Sequence, residues 1–254
     1  MILWVHKSGD YMKRIFTLLL TVTLFLFVFD SAFALTIIDD FNDGNADGWW
    51  LGYQQGAPWV PGNWRVEDGM LVQDRVGDNF IATYEGKQLS AQEVQADFRF
   101  NNDSGYGGLI LWYKNDSNWV YVRLYPGVGG LWFSEDINGT YTNTFYTYIA
   151  PNTTWFTIKT VANASGNIDV YINGNYVLSH QTITSDRYGK SGVFNGNSGG
   201  YIDNFSLTEI TTPENKDKCK NDGWMSFENP SFKNQGNCVS YVQNKGNTNG
   251  NKAK

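Results

Sequence analysis

Residues able to do chemistry are few and scattered in this chain. Gly196 to Gly200 reads G-x-S-x-G, a spacing that can present a serine nucleophile at Ser198. Such a serine needs a base within hydrogen-bond reach, usually histidine. Beyond the N-terminal region the chain has a single histidine, His180. The serine elbow also requires a helix after it, whereas the strand-like YIDNFSL follows Ser198. A glycine-rich turn accounts for the match, and His180, at a hairpin end, reads as a surface residue. Carboxylates come as the adjacent pairs Asp39-Asp40, Glu67-Asp68 and Glu135-Asp136. Adjacent residues on a strand face opposite sides, so none of these pairs supplies an acid and a base to one substrate. Asp97 is the acid inside a clear strand, VQADFRF. Asp43 to Gly48 reads D-x-N-x-D-G, which gathers the oxygens of Asp43, Asn45 and Asp47 around one point and allows a sharp turn at Gly48. The twelfth position of an EF-hand loop would be Gln54 rather than Glu. The segment is therefore expected to be either a turn holding a structural calcium or a plain Asx-rich turn.

The stretch SNWVYVRLYPGVGGLWF, from Ser117 to Phe133, alternates. Val120, Val122 and Leu124 point to one side of an extended chain, and Trp119, Tyr121, Arg123 and Tyr125 to the other. In neighbouring stretches Asp97, Arg99 and Trp132 take the polar or aromatic side. If these strands lie together, one sheet face carries Asp97, Arg99, Trp119, Tyr121, Arg123, Tyr125 and Trp132. Burying the arginines among rings is costly without paired acids, so the aliphatic set is the expected core and the aromatic set an exposed face. Flat rings with interspersed Arg and Asp suit a sugar: the C–H face of a pyranose stacks on them and its hydroxyls take directional hydrogen bonds. Aromatics and arginine also mark protein interfaces, so a protein partner is the competing occupant.

Positioning such a face requires strands. The chain is 254 residues long, 16% aromatic, rich in Gly and carries a net charge of −6. An acidic chain without a basic run suits neither nucleic acid nor an anionic membrane surface. From Met12, Lys13 and Arg14 precede an apolar run, Ile15 to Phe29, and Ala32-Phe33-Ala34 forms a small-x-small site. This predicts a secretory signal peptide over 1–34, with the true start at Met12 as an option, and places the product outside the cytoplasm, secreted or at the cell surface. The run is shorter than the ~20 residues a membrane span needs, so no span is expected after cleavage. Cleavage removes Lys7, Lys13, Arg14, Asp10 and Asp30 and takes the net charge from −6 to −7. Beyond it, short strand-like runs recur: Asn63–Val66, Leu71–Gln73, Glu93–Phe100, Gly107–Tyr113, Trp119–Tyr125, Gly130–Ser134, Thr154–Val161, Asn167–Ile172, Tyr176–Ser179, Ser191–Phe194 and Tyr201–Thr208. Turn signals such as Asn138-Gly139 and Asn173-Gly174 separate them. The expected class is all-β, a sandwich or barrel.

The region 35–210 resembles the concanavalin A-like jelly roll in its laminin-G-like branch. The residues that carry this are DDFNDGNADGWW, NWRVEDGMLVQ, ADFRF…GYGGLILWY, TWFTIKTVANASGNIDVYINGNYV and GGYIDNFSL, in that order. The resemblance implies two antiparallel sheets packed face to face, one of them concave. First and last strands of such folds often pair, which would bring Asp203 towards Asp43, Asn45 and Asp47, and relatives carry a structural calcium near that junction. Retaining glucanases of this fold bear Glu-x-Asp-x-x-Glu or a close variant on one strand, with two carboxylates serving as nucleophile and acid/base. That spacing does not occur here. A related sandwich acts on 3-keto-glycosides and has no short signature to exclude.

Composition shifts at a linker, 211–215. The segment 216–246 resembles a small Cys-bracketed module appended to many exported bacterial proteins, and 247–254 reads as a disordered tail. Cys219 and Cys238 are the chain's two cysteines. In an exported chain they are expected to form a disulfide that staples a module too small for a large core, with Trp224, Phe227 and Phe232 packed inside. The segment KNQGNC resembles the approach to a papain-type nucleophile, but no histidine follows Cys238. The expected molecule is thus a two-sheet antiparallel jelly-roll sandwich with a disulfide-stapled C-terminal module. Its expected role is to bind a polysaccharide or glycan without catalysis. The alternatives are a glycoside or 3-keto-glycoside hydrolase on the same scaffold and a protein-binding adhesion module.

Overall fold

The computed structural model describes residues 35–149, 154–213, 215–227 and 231–248. The expected signal peptide and the tail beyond 248 lie outside these residues. Sixteen strands build two antiparallel sheets. In chain order they are β1 (Thr36–Asp39), β2 (Trp49–Gln54), β3 (Ala57–Pro61), β4 (Trp64–Glu67), β5 (Met70–Gln73), β6 (Gly77–Tyr84), β7 (Gln92–Phe100) and β8 (Tyr106–Asn115). Then follow β9 (Asn118–Tyr125), β10 (Gly130–Ile137), β11 (Thr140–Thr147), β12 (Phe156–Ala162), β13 (Asn167–Ile172), β14 (Asn175–Gln181), β15 (Lys190–Asn197) and β16 (Gly200–Glu209). Sheet A runs β14-β13-β12-β7-β16-β5-β4, with β1 also on β16. Sheet B runs β11-β10-β9-β8-β15-β6-β2-β3. This is the jelly-roll sandwich that the sequence leads one to expect.

Alternation decides the packing. On β7 Val94, Ala96, Phe98 and Phe100 are buried while Glu93, Gln95, Asp97 and Arg99 are half-buried on the other side. On β9 Val120, Val122 and Leu124 enter the same core from the opposite sheet. Each large apolar side chain so buried contributes about 1.5–3 kcal/mol. The hairpins turn where the sequence says: Asn138-Gly139 and Asn173-Gly174 both take positive φ at both residues (53° and 79°, 51° and 76°), the signature of a two-residue β-turn.

Five strands lie outside the runs expected from the sequence. β11, TYTNTFYT, is an edge strand with little buried surface, and β3 carries two prolines that only an edge tolerates. β1 is a short exposed edge, and β2 and β6 bury residues on both sides, which erases alternation. After β16, two short 3-10 turns (Lys216–Cys219 and Gly223–Ser226) and the helix α1 (Gln235–Thr248) follow. The Cys219–Cys238 disulfide is formed. Cys219, Phe227 and Cys238 are buried with Trp224, Phe232, Val239 and Val242 packed around them. The helix reaches Thr248, two residues into the tail expected to be disordered.

Candidate functional site

The seven residues expected on one face are divided between two. β7 pairs with β12 and β16 in sheet A, whereas β9 and β10 pair with each other in sheet B. The segment between β7 and β8 crosses from one sheet to the other. Asp97 and Arg99 therefore lie on the outer face of sheet A, with the whole core between them and Trp119, Tyr121, Arg123, Tyr125 and Trp132. Period-two alternation gives the face within a strand but not which sheet the strand joins.

The sheet A residues have local partners. Asp97 accepts hydrogen bonds from the Thr157 hydroxyl and from Asn204 Nδ2 (2.9 Å). Arg99 lies over the Tyr201 ring at 4.2 Å and the Trp155 ring at 5.2 Å. Asp203 faces Asp97 in register, and its carboxyl is pushed up by burial, with Asp97, Asp40 and Asp39 adding to the effect.

The outer face of sheet B is a continuous aromatic floor. Tyr121 is sandwiched between Trp119 (ring centroids 4.0 Å apart, 27° between planes) and Phe194 (4.5 Å, 21°). Trp119 is 5% and Tyr121 1% exposed, so they are the floor itself and not the solvent-facing platform the sequence suggests. Neighbouring rings from other strands cover them. Around them pack Ile81, Tyr106, Ile110 and Tyr113, with Trp50 and Tyr125 half-buried at the margin. Tyr106 and Tyr125 meet at 5.1 Å, and Trp50 stacks on Tyr113 at 6.4 Å. Arg123 lies over Tyr106 at 5.1 Å and over Trp132, its cross-strand partner, at 5.4 Å. On β9 and β10 four polar atoms of this face are buried without any partner: the Tyr121 hydroxyl, Arg123 Nε, Trp132 Nε1 and, at the far end of β10 across from Trp119, Asp136 Oδ1. Burial pushes the Tyr121 phenol well above its ordinary value, so it stays protonated and remains a donor.

At one end of the floor a hollow of about 570 Å³ opens between Trp50, Tyr53, Tyr113 and Asp116, with Glu85 and Lys190 on its rim. Asp116 accepts from the Tyr53 and Tyr113 hydroxyls at 3.0 and 3.1 Å. Burial and that carboxylate together raise both phenols. Glu85 pairs with Lys190 and accepts from the Thr83 hydroxyl at 2.8 Å. Sequence reasoning missed Trp50, Tyr53, Tyr106, Tyr113, Asp116 and Phe194. Strand β8 is buried on both faces, and positive φ at Trp112 (53°) breaks its alternation, turning Trp112 into the core and Tyr113 outward.

The turn expected to hold calcium follows β1. Asp43 Oδ1 accepts from the Asn45 N–H and Asn45 Oδ1 from the Asp47 N–H, two successive Asx turns. Asp43, Asn45 and Asp47 line a hollow of about 350 Å³ together with Asp39 and Asp40. β1 does pair with β16, yet Asp203 is not among the residues lining this hollow. The donors suit a hard cation by type. Among the described residues no group of three or more His, Cys, Asp or Glu side chains is placed to hold a metal.

His180 is not a surface residue. It is 7% exposed, stacked on Phe133 at 4.1 Å and bonded to Glu135 (3.1 Å) and to the Tyr146 hydroxyl (3.1 Å). Glu135 also accepts from the Thr182 hydroxyl and the Ile183 and Thr184 N–H groups. Burial alone would raise this carboxyl; the hydrogen bonds and His180 outweigh it and hold it below its ordinary value. The cluster ties β10 and β11 of sheet B to β14 of sheet A. The Ser198 hydroxyl contacts Gly199 O, so no Ser–His pair exists.

No family model matches the chain, and no curated protein matches it by sequence. Similar solved structures exist. The carbohydrate-binding module CBM66 from Bacillus subtilis superposes with a TM-score of 0.54 at 16% identity, over 65% of this chain and 98% of the module. The endo-β-1,3-glucanase from Pyrococcus furiosus superposes with a TM-score of 0.54 at 12% identity, over 71% of this chain and 96% of the enzyme. The laminarinase catalytic domain from Thermotoga maritima gives 0.54 at 12% identity, over 71% and 100%. At these identities the likeness is one of fold.

Proposed function

We propose that the protein is an exported, non-catalytic carbohydrate-binding protein that uses the outer face of sheet B. The observation that carries this is the combination of a broad aromatic floor with the unpartnered buried groups of Tyr121, Arg123 and Trp132. Buried polar groups normally find partners, and the hydroxyls of a sugar stacked on the half-buried rings of Trp50, Tyr125 and Trp132 would supply them. Solved structures of this fold include a carbohydrate-binding module and glucanases, which supports a glycan over a protein partner. The outward positions of the central strands β8, β9 and β15 hold Tyr106, Gly108, Ile110 and Tyr113, then Trp119, Tyr121, Arg123 and Tyr125, then Gly192 and Phe194. No carboxylate stands there, which favours binding over hydrolysis.

A hydrolase is the second reading, and one observation favours it: Glu85 and Asp116 line the same 570 Å³ hollow beside Trp50. Calcium at Asp43, Asn45 and Asp47 is kept as a stabilising accessory, supported by the oxygen-rich hollow. A glycan array on the purified protein, with and without calcium, tests the main reading. Binding to a glycan that weakens at least tenfold in Trp50→Ala or Trp132→Ala, without release of reducing ends, is the expected result. Sugar release lost in Glu85→Gln and Asp116→Asn would replace it with the hydrolase. The absence of any glycan ligand would leave the adhesion module.

A further inference from the structure

Six lysines and arginines among the described residues stand in ion pairs: Arg65, Lys87, Lys114, Lys159, Lys190 and Lys220. Arg65 contacts Glu67 and Asp74 at 2.8 and 2.7 Å, and at the hollow Lys114 and Lys190 pair with Asp186 and Glu85. Among the same residues Arg75, Arg99, Arg123 and Arg187 have no such partner, and Arg123 is the one that combines contact with two rings and a buried Nε without an acceptor. It is half-buried beside the aromatic floor, against Tyr106 and Trp132, and among the described residues no carboxylate lies within ion-pair distance of it. Asp78 accepts from the hydroxyl of Tyr106, the ring over which Arg123 lies, at 3.1 Å. Asp136 lies four residues along β10 from Trp132, roughly 13 Å at strand rise.

The guanidinium packs against the rings of Tyr106 and Trp132, which restrict its fork before any ligand arrives. Arg123 Nε is buried without an acceptor, and so is Trp132 Nε1 directly across the strand pair. The Tyr121 hydroxyl, two residues back on the same face of β9, is also unpartnered. Arginine and indole have donors and no acceptor, and the protonated phenol adds a third donor. A neutral sugar hydroxyl meets such a set one bond at a time. A carboxylate or sulfate is acceptor-only, matches the fork with two oxygens and supplies the missing charge.

We propose that Arg123 anchors an anionic sugar, so that the ligand of this face is an acidic glycan bearing carboxylate or sulfate groups. The inference rests on the glycan-binding reading above and specifies its ligand class. Arg123 takes the anionic group, Trp132 Nε1 donates to it or to the ring oxygen, and the exposed parts of the Trp132 and Tyr125 rings carry the sugar's apolar side.

Matched polymers test this with the full-length exported protein. Titration calorimetry compares polygalacturonate with its fully methyl-esterified form, and a sulfated galactan with its desulfated form. The expected result is at least tenfold tighter binding to the charged member of one pair. The pair that shows it tells carboxylate from sulfate. Arg123→Met is expected to abolish the difference, and Arg123→Lys, which keeps charge without the fork, to retain part of it. Both variants are first checked for an unchanged melting curve, and Arg123→Lys carries the test if Arg123→Met does not fold. Equal affinity within both pairs, or a preference that survives these substitutions, overturns the role of Arg123. If a neutral glycan still binds, the wider reading stands without it. Failure to bind any charged or neutral glycan overturns both.

Discussion

At the scale of single residues, Tyr121 separates folding from binding. Its ring is gripped between Trp119 and Phe194, while its hydroxyl has no partner. Truncating it to Ala opens a cavity in the floor and should cost about 3–5 kcal/mol, so lost binding in that variant would say little about contact. Tyr121→Phe removes only an unsatisfied group and should leave thermal stability equal or slightly higher. If the hydroxyl serves the ligand, the same variant should bind its glycan roughly 5–10-fold more weakly, from about 1–1.5 kcal/mol of hydrogen bonding. Melting and calorimetry on one sample check both statements. Glu135 gives the pH prediction. A carboxyl held below its unfolded value contributes stability that is fully present above that value and is lost as pH falls through the folded one. Glu135→Gln leaves His180 and Thr182 with an imperfect partner and should cost about 3–5 kcal/mol at neutral pH. The gap between wild type and Glu135→Gln should narrow steadily as denaturation is followed below pH 4.5. A gap independent of pH would sink the assignment.

Elements raise different questions. The Cys219–Cys238 bridge closes a loop with a sequence separation of 19 residues, worth about 3 kcal/mol on the chain-entropy model. The packing around it is small: two half-cystines and Phe227 buried, four side chains against them. The double substitution Cys219→Ser, Cys238→Ser should therefore make 216–248 protease-sensitive, while the sandwich keeps its melting midpoint. Loss of both together would show that the segment is integral to the sandwich. The turn after β1 holds itself by Asx turns, so it needs no ion to form. If calcium does bind there, a concentration 100 times its Kd should stabilise the protein by about 2.7 kcal/mol, and Asp43→Ala should remove the effect. Scanning calorimetry in calcium and in EDTA checks this.

For the molecule as a whole, we propose export with cleavage after Ala34, so the exported protein should begin at Leu35. N-terminal sequencing or intact mass decides this. An acidic chain that uses Arg123, an arginine without an ion pair in the sheet B face, would recognise an acidic glycan through local pairing and not through its overall field. Much of this was legible from residues alone. Alternation marked Val94, Ala96 and Phe98, and Val120, Val122 and Leu124, as core, and Asn-Gly pairs marked turns, because strand period and positive φ are local properties. The disulfide was legible because two cysteines leave one pairing. What only tertiary structure decided was which strands share a sheet. Asp97 and Arg99 have the same pattern as Tyr121 and Arg123 but stand on the opposite side of the sandwich, because sheet membership depends on long-range pairing that alternation does not encode. Burial of His180 with Glu135, and assembly of Trp50, Tyr113 and Phe194 into one floor, likewise join residues distant in the chain. Such contacts form only when both sheets are in place, so no local pattern announces them.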